Sequence, residues 1–146
     1  MKSFMKWGMS MVLVSLATPA LAYEEAADKP ADLVQISSLQ SARAACYIDT
    51  PAWDVATPDY CTTVVWGASK ALAVYSVVGI NQASGQYRIT YLGNTCTQTW
   101  STTQEGLLCS RTTGPFRDFT QRVQVTDLYT GQSVTLQATS NWENGQ

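Results

Sequence analysis

Val123-Gln124-Val125-Thr126-Asp127-Leu128-Tyr129-Thr130-Gly131-Gln132-Ser133-Val134-Thr135-Leu136-Gln137-Ala138 is the stretch that decides the fold of this chain. Val123 and Val125 share one parity ahead of the turn residues, and Val134, Leu136 and Ala138 share one parity after them. Side chains of a strand alternate between two faces, so this pattern predicts an antiparallel hairpin with one buried face. A two-residue loop at Thr130-Gly131 sets Val125 opposite Leu136 and Val123 opposite Ala138. A four-residue loop sets Val125 opposite Val134. Either even loop keeps the apolar residues together, whereas a one-residue slip exposes them all and requires a bulge. Gln121, Gln124, Thr126, Thr135, Gln137 and Thr139 are expected on the polar flanks and the outer face.

The same signal runs back toward Cys46. Tyr87, Ile89 and Tyr91 alternate with Arg88, Thr90 and Leu92. Tyr60 to Trp66 carries Thr62-Thr63-Val64-Val65, rich in residues suited to strands. Ala71 to Ile80 is apolar on both parities, which fits a central strand covered on both faces. Thr97–Thr103 and Leu107–Arg111 flank Gln104-Glu105-Gly106, a predicted hairpin tip. Residues 32–45 read equally as a short helix, from the Asp32/Gln35 capping pattern, or as a first edge strand. Seven to nine short strands in about 100 residues predict an all-β, antiparallel, immunoglobulin-like β-sandwich held by two disulfides. A small barrel is the alternative.

Lys2 and Lys6, the apolar run Met11–Ala17 and the closing Ala20-Leu21-Ala22 form the pattern of a cleaved signal peptide over residues 1–22. The apolar run is shorter than the ~20 residues that span a bilayer. Residues 23–44 are expected to be a leader or linker, followed by the sandwich domain at 45–146. Secretion or a periplasmic location follows, with no integral membrane segment after cleavage. Cleavage takes nine basic residues to seven against eleven acidic, a net charge of −4, and removes all four methionines.

Cys46, Cys61, Cys96 and Cys109 remain. An even cysteine count in an exported chain reads as disulfides. Of three connectivities, Cys46–Cys61 and Cys96–Cys109 are favoured because each pair brackets one loop-like segment. The alternative crosses the early and late pairs. The cysteine spacings are too wide for a zinc knuckle, and no histidine completes one. No metal and no cofactor is implied.

Ala45-Cys46-Tyr47-Ile48-Asp49-Thr50-Pro51-Ala52-Trp53-Asp54, the following Cys61 and Trp66-Gly67, and the Val-Thr-Asp-Leu at residues 125–128 resemble a group of small uncharacterised exported proteins of proteobacteria. The resemblance covers about residues 46–143 and implies an immunoglobulin-like sandwich with two cysteine pairs. It carries no activity and no functional residue.

The chain has 146 residues and no histidine, which excludes Ser-His-Asp and Cys-His catalysis within it. Asp49-Thr50-Pro51 lacks the glycine of an Asp-Thr-Gly protease turn, Ser69-Lys70 is not Ser-x-x-Lys, and nothing sets a catalytic distance among Asp118, Asp127 and Glu143. The expectation is a non-enzymatic module that binds a protein or glycan partner or belongs to the cell envelope. A small hydrolase inhibitor is the second reading, and a carbohydrate-binding or carbohydrate-active protein the third. An acidic exported chain does not suit nucleic acid. The candidate binding residues are Tyr47, Asp49, Trp53, Asp54, Asp59 and Tyr60, where aromatic rings beside carboxylates suit a sugar ring, or a calcium ion through oxygen ligands. Arg111, Arg117 and Arg122 gather around Phe116 and Phe119 in sequence and suit an anionic partner. Trp66, Trp100 and Trp142 are expected in the core or in cross-strand pairs, with Trp100 the most exposed.

Overall fold

A computed structural model describes residues 39–51 and 55–146. The described residues form nine strands in two sheets. They are β1 (Arg43–Asp49), β2 (Thr57–Pro58), β3 (Tyr60–Trp66), β4 (Ala71–Val78), β5 (Tyr87–Leu92), β6 (Thr97–Ser101), β7 (Gly106–Thr113), β8 (Phe119–Asp127) and β9 (Ser133–Gly145). One sheet has the order β2-β1-β4-β7-β6, the other β3-β9-β8-β5. The signal-peptide segment and most of the predicted leader lie outside the described residues. β1 begins at Arg43, and Leu39 and Ala42 pack into the core ahead of it.

The decisive hairpin takes the four-residue loop. Val125 faces Val134, Val123 faces Leu136, and the N–H of Asp127 donates to Gln132 O at 2.9 Å. Val123 and Val125 are buried, as the shared face requires. Gln121 departs from expectation. Its odd parity turns it inward, where its amide donates to Leu92 O and Arg122 O and accepts from Thr95 Oγ1. A fully satisfied amide tolerates such burial.

The first sheet is centred on β4, buried from Ala73 to Val77 on both faces. Cys46 on β1 pairs across to Tyr75, and Tyr75 pairs across to Cys109 on β7, so one phenol ring lies between two half-cystines. The disulfides are Cys46–Cys61 and Cys96–Cys109. Cys46–Cys61 joins the two sheets, from β1 to β3. The β6–β7 turn lies at residues 102–105, and Gly106 is the first residue of β7, where it pairs with Ser101. A Cβ there would come within 2.7 Å of the Gln82 amide nitrogen. Close approach to Gln82 therefore accounts for this glycine, not the turn.

The pairing is antiparallel except between β3 and β9, which run parallel from Tyr60↔Thr139 to Trp66↔Gly145. Short-range alternation carries no information about this pair, because its partners lie at opposite ends of the sandwich sequence. The chain reaches β3 from β2 through Asp59, which adopts a left-handed φ of 66°. Its N–H donates to Ala44 O in the first sheet, and its carbonyl accepts from Thr139 N in the second. An aspartate tolerates that conformation better than most residues.

Three aromatic tips fasten the sheets. Tyr75 OH donates to Phe119 O at 3.0 Å and exchanges a hydrogen bond with Ser140 Oγ at 2.7 Å. Tyr91 OH faces Leu107 O at 2.7 Å and Tyr75 O at 3.1 Å. Fully buried Trp142 donates through Nε1 to Thr113 Oγ1. Of the two places expected for it, core or cross-strand pair, Trp66 takes the second: it is 73% exposed and lies over its cross-strand partner Gly145 at the rim of the second sheet.

Candidate functional site

The outer face of the first sheet holds a groove. On β1 and β4, Arg43, Ala45, Tyr47 and Asp49 point outward together with Leu72, Val74, Ser76 and Val78, opposite the core-facing Cys46 and Tyr75. Ala45, Tyr47, Val74 and Ser76 are nevertheless buried, because chain segments rise over them. The cavity has a volume of about 610 Å³. Tyr47, Val55 and Ala56 line it from the segment closed by Cys46–Cys61. Ser101, Thr103, Gln104, Gly106 and Leu108 line it from the segment closed by Cys96–Cys109. The two disulfide-closed segments thus form its two walls, and Ser76 lies between them on β4.

The walls are tied together. Gln104 Nε2 donates to Tyr47 OH at 3.3 Å, and Gln104 N donates to Ser101 Oγ. At one end Gln82, 8% exposed, donates to Val77 O and accepts the N–H of Leu107, bridging β4 to β7. Both ends of this amide are occupied, so it acts as a brace. Ser76 Oγ is buried and has no hydrogen-bond partner. Every described residue lining the cavity is uncharged.

The sequence-predicted binding residues scatter. Tyr47 lines the groove. Asp49 stands exposed at the far end of β1. Asp59 is level with Ala44 at the near end, so about five residues of strand, roughly 17 Å, separate the two carboxylates. No single cation reaches both. Asp59 instead turns the chain between sheets and forms an exposed ion pair with Arg43 at 3.5 Å. Tyr60 is exposed on the outward face of β3. Trp53 and Asp54 lie outside the described residues. Among the described residues, no three Cys, Asp or Glu side chains converge on a metal-sized space.

The three arginines do not form one patch. Arg111 lies inward, its guanidinium carbon 4.8 Å from the Phe119 ring centre, while Arg122 is exposed on the opposite parity of β8. Asp127, paired on paper with Asp118 and Glu143 as a catalytic carboxylate, is wholly buried in the β8–β9 turn. There it accepts from Tyr129 N, Thr130 N and Gln86 Nε2. Those donors make it a turn cap.

Sequence reasoning missed Ser76, Gln104 and Leu108. A serine inside the apolar run Ala71–Ile80 was the available signal, since a buried hydroxyl calls for a partner. Among the described residues, no helix is long and apolar enough to cross a membrane. No family model matches the chain, and no curated protein matches it.

Proposed function

We propose that this chain is an exported, non-enzymatic binding module with an immunoglobulin-like sandwich, and that it meets its partner at the groove on the first sheet. The convergence of both disulfide-closed segments on that groove carries the reading. Binding surfaces are commonly built from loops held on a rigid scaffold, and here a covalent closure frames each wall.

The strand order supports the immunoglobulin-like assignment. With β2 and β3 set aside, β1, β4, β5, β6, β7, β8 and β9 follow one another as A to G. The sheets then read A-B-E-D and G-F-C. The departures are the disulfides, neither of which joins β4 to β8, and the buried tryptophan, which stands on β9. The signal-peptide pattern and the paired cysteines support export.

Site-specific photocrosslinking in the source cell tests the site. A crosslinker at Val55 or Leu108 is expected to capture envelope material, and one at Gln124 on the second sheet is not. Equal capture from both faces refutes the groove as the contact surface. Hydrolase inhibition is the second reading, favoured by Val55, which stands 59% exposed in a disulfide-closed segment. Titration against secreted proteases and lysozymes tests it.

A further inference from the structure

The groove also specifies the chemistry of what it holds, an argument that rests on the reading of the groove as the binding site. Ser76 is 4% exposed, and its Oγ is without a partner. Side-chain hydroxyls at this depth are normally bonded. Its neighbours are satisfied: Gln82 spans Val77 and Leu107, and Tyr47 accepts from Gln104. One donor-acceptor group is therefore left over on the floor of the groove.

Among the described residues, no charged side chain lines the cavity. A carboxylate, phosphate or ammonium group seated there would lose water with no counter-charge in return. The floor is the face of a sheet, where the backbones of β1, β4 and β7 pair with one another, so the floor itself offers an extended peptide side chains and not a strand edge. Recognition falls to hydroxyls and an amide set beside the apolar surfaces of Val55 and Leu108. A ligand with hydroxyls on its rim and C–H groups on its face meets both requirements. The volume lies within the range of small-ligand sites, about 300–1,000 Å³.

We infer that the groove binds an uncharged carbohydrate, one hydroxyl of which bonds Ser76 Oγ. Calorimetry on the processed full chain tests this with maltohexaose, cellohexaose, chitohexaose and mannohexaose, against hexagalacturonate as the acidic control. At least one neutral sugar is expected to give heat that persists at about 0.5 M salt, since no ion pair is involved. Ser76→Ala is expected to weaken that binding about three- to tenfold, the range of one hydrogen bond. Leu108→Arg fills the groove and is expected to abolish it, with near-ultraviolet circular dichroism confirming that both variants fold. Three results overturn the inference: heat from hexagalacturonate alone, heat from no sugar, or unchanged affinity in Ser76→Ala. The groove itself is judged separately. If crosslinks at Val55 still capture a protein partner, the ligand class is wrong and the site stands; if they capture nothing, both fail.

Discussion

Gln104 donates its side-chain amide to the hydroxyl of Tyr47 across 3.3 Å, and the two residues belong to segments closed by different disulfides. This bond is a direct polar link between the two walls of the groove. A double-mutant cycle of Tyr47→Phe and Gln104→Ala, read by chemical denaturation, is expected to give a coupling of about 0.5–1.5 kcal/mol. No coupling would mean that the walls are independent.

The inter-sheet tyrosines predict a loss of stability in alkali. Burial raises the pKa of Tyr75, opposed by its bond to Ser140 and the charge of Arg111, and burial raises that of Tyr91. Above about pH 10 the unfolded chain releases these protons while the folded chain keeps them. Folding stability is then flat below that pH and falls above it, by up to about 1.4 kcal/mol per pH unit for each tyrosine. Tyr91→Phe is expected to flatten the decline in a series of melts from pH 8 to pH 11. An unchanged slope would refute its role.

Asp127 organises the β8–β9 turn. Asp127→Ala leaves two backbone N–H groups and the Gln86 amide without their acceptor, at an expected cost of about 2–4 kcal/mol. Gly131→Ala, where φ is 72° and the space for a Cβ is open, is expected to cost only about 1 kcal/mol. Thermal melts of both variants rank the two effects.

Phe116 holds a φ of 58° while its side chain is 65% exposed. Its N–H donates to Trp142 O at 2.8 Å, which keeps the backbone in place. Phe116→Gly removes the left-handed penalty and little buried surface. It is expected to leave stability unchanged or raise it by up to about 1 kcal/mol. Clear destabilisation would show that the ring contributes packing.

The disulfides predict a simple peptide map. Without reduction, trypsin releases residues 44–70 and 89–111 as separate peptides, each two hydrogens lighter than its reduced form, because each bridge lies inside one peptide. Crossed pairing would join the two. Loss of either bridge is expected to cost about 3 kcal/mol in the chain-entropy picture. Export with signal-peptide cleavage remains a proposal; N-terminal sequencing of the protein recovered from the source cell is expected to begin at Tyr23.

Much of this fold was legible from local sequence pattern. Val123 and Val125 set the face of their hairpin, the apolar run at Ala71–Ile80 marked the central strand, and cysteine spacing indicated the bridges. Features that depend on distant partners were not. Gly106 answers to Gln82, Gln121 turns inward to meet Leu92 and Thr95, and the parallel pairing of β3 with β9 has no local signature. The candidate site was half legible for the same reason. Tyr47 was readable as an aromatic beside a cysteine, but Ser76 becomes a site residue only where two covalently closed segments meet above it.

The parallel β3–β9 pair also constrains when the molecule can mature. Residues 60–66 find their partners only in residues 139–145, so the second sheet stays open along β3 until β9 has been synthesised. Closing so long a loop is entropically costly, and topologies dominated by such contacts fold slowly. A nascent chain of this design is slow to lock itself. Cys46–Cys61 spans the same two sheets, so this bridge fastens β1 to a strand whose sheet partner is made last.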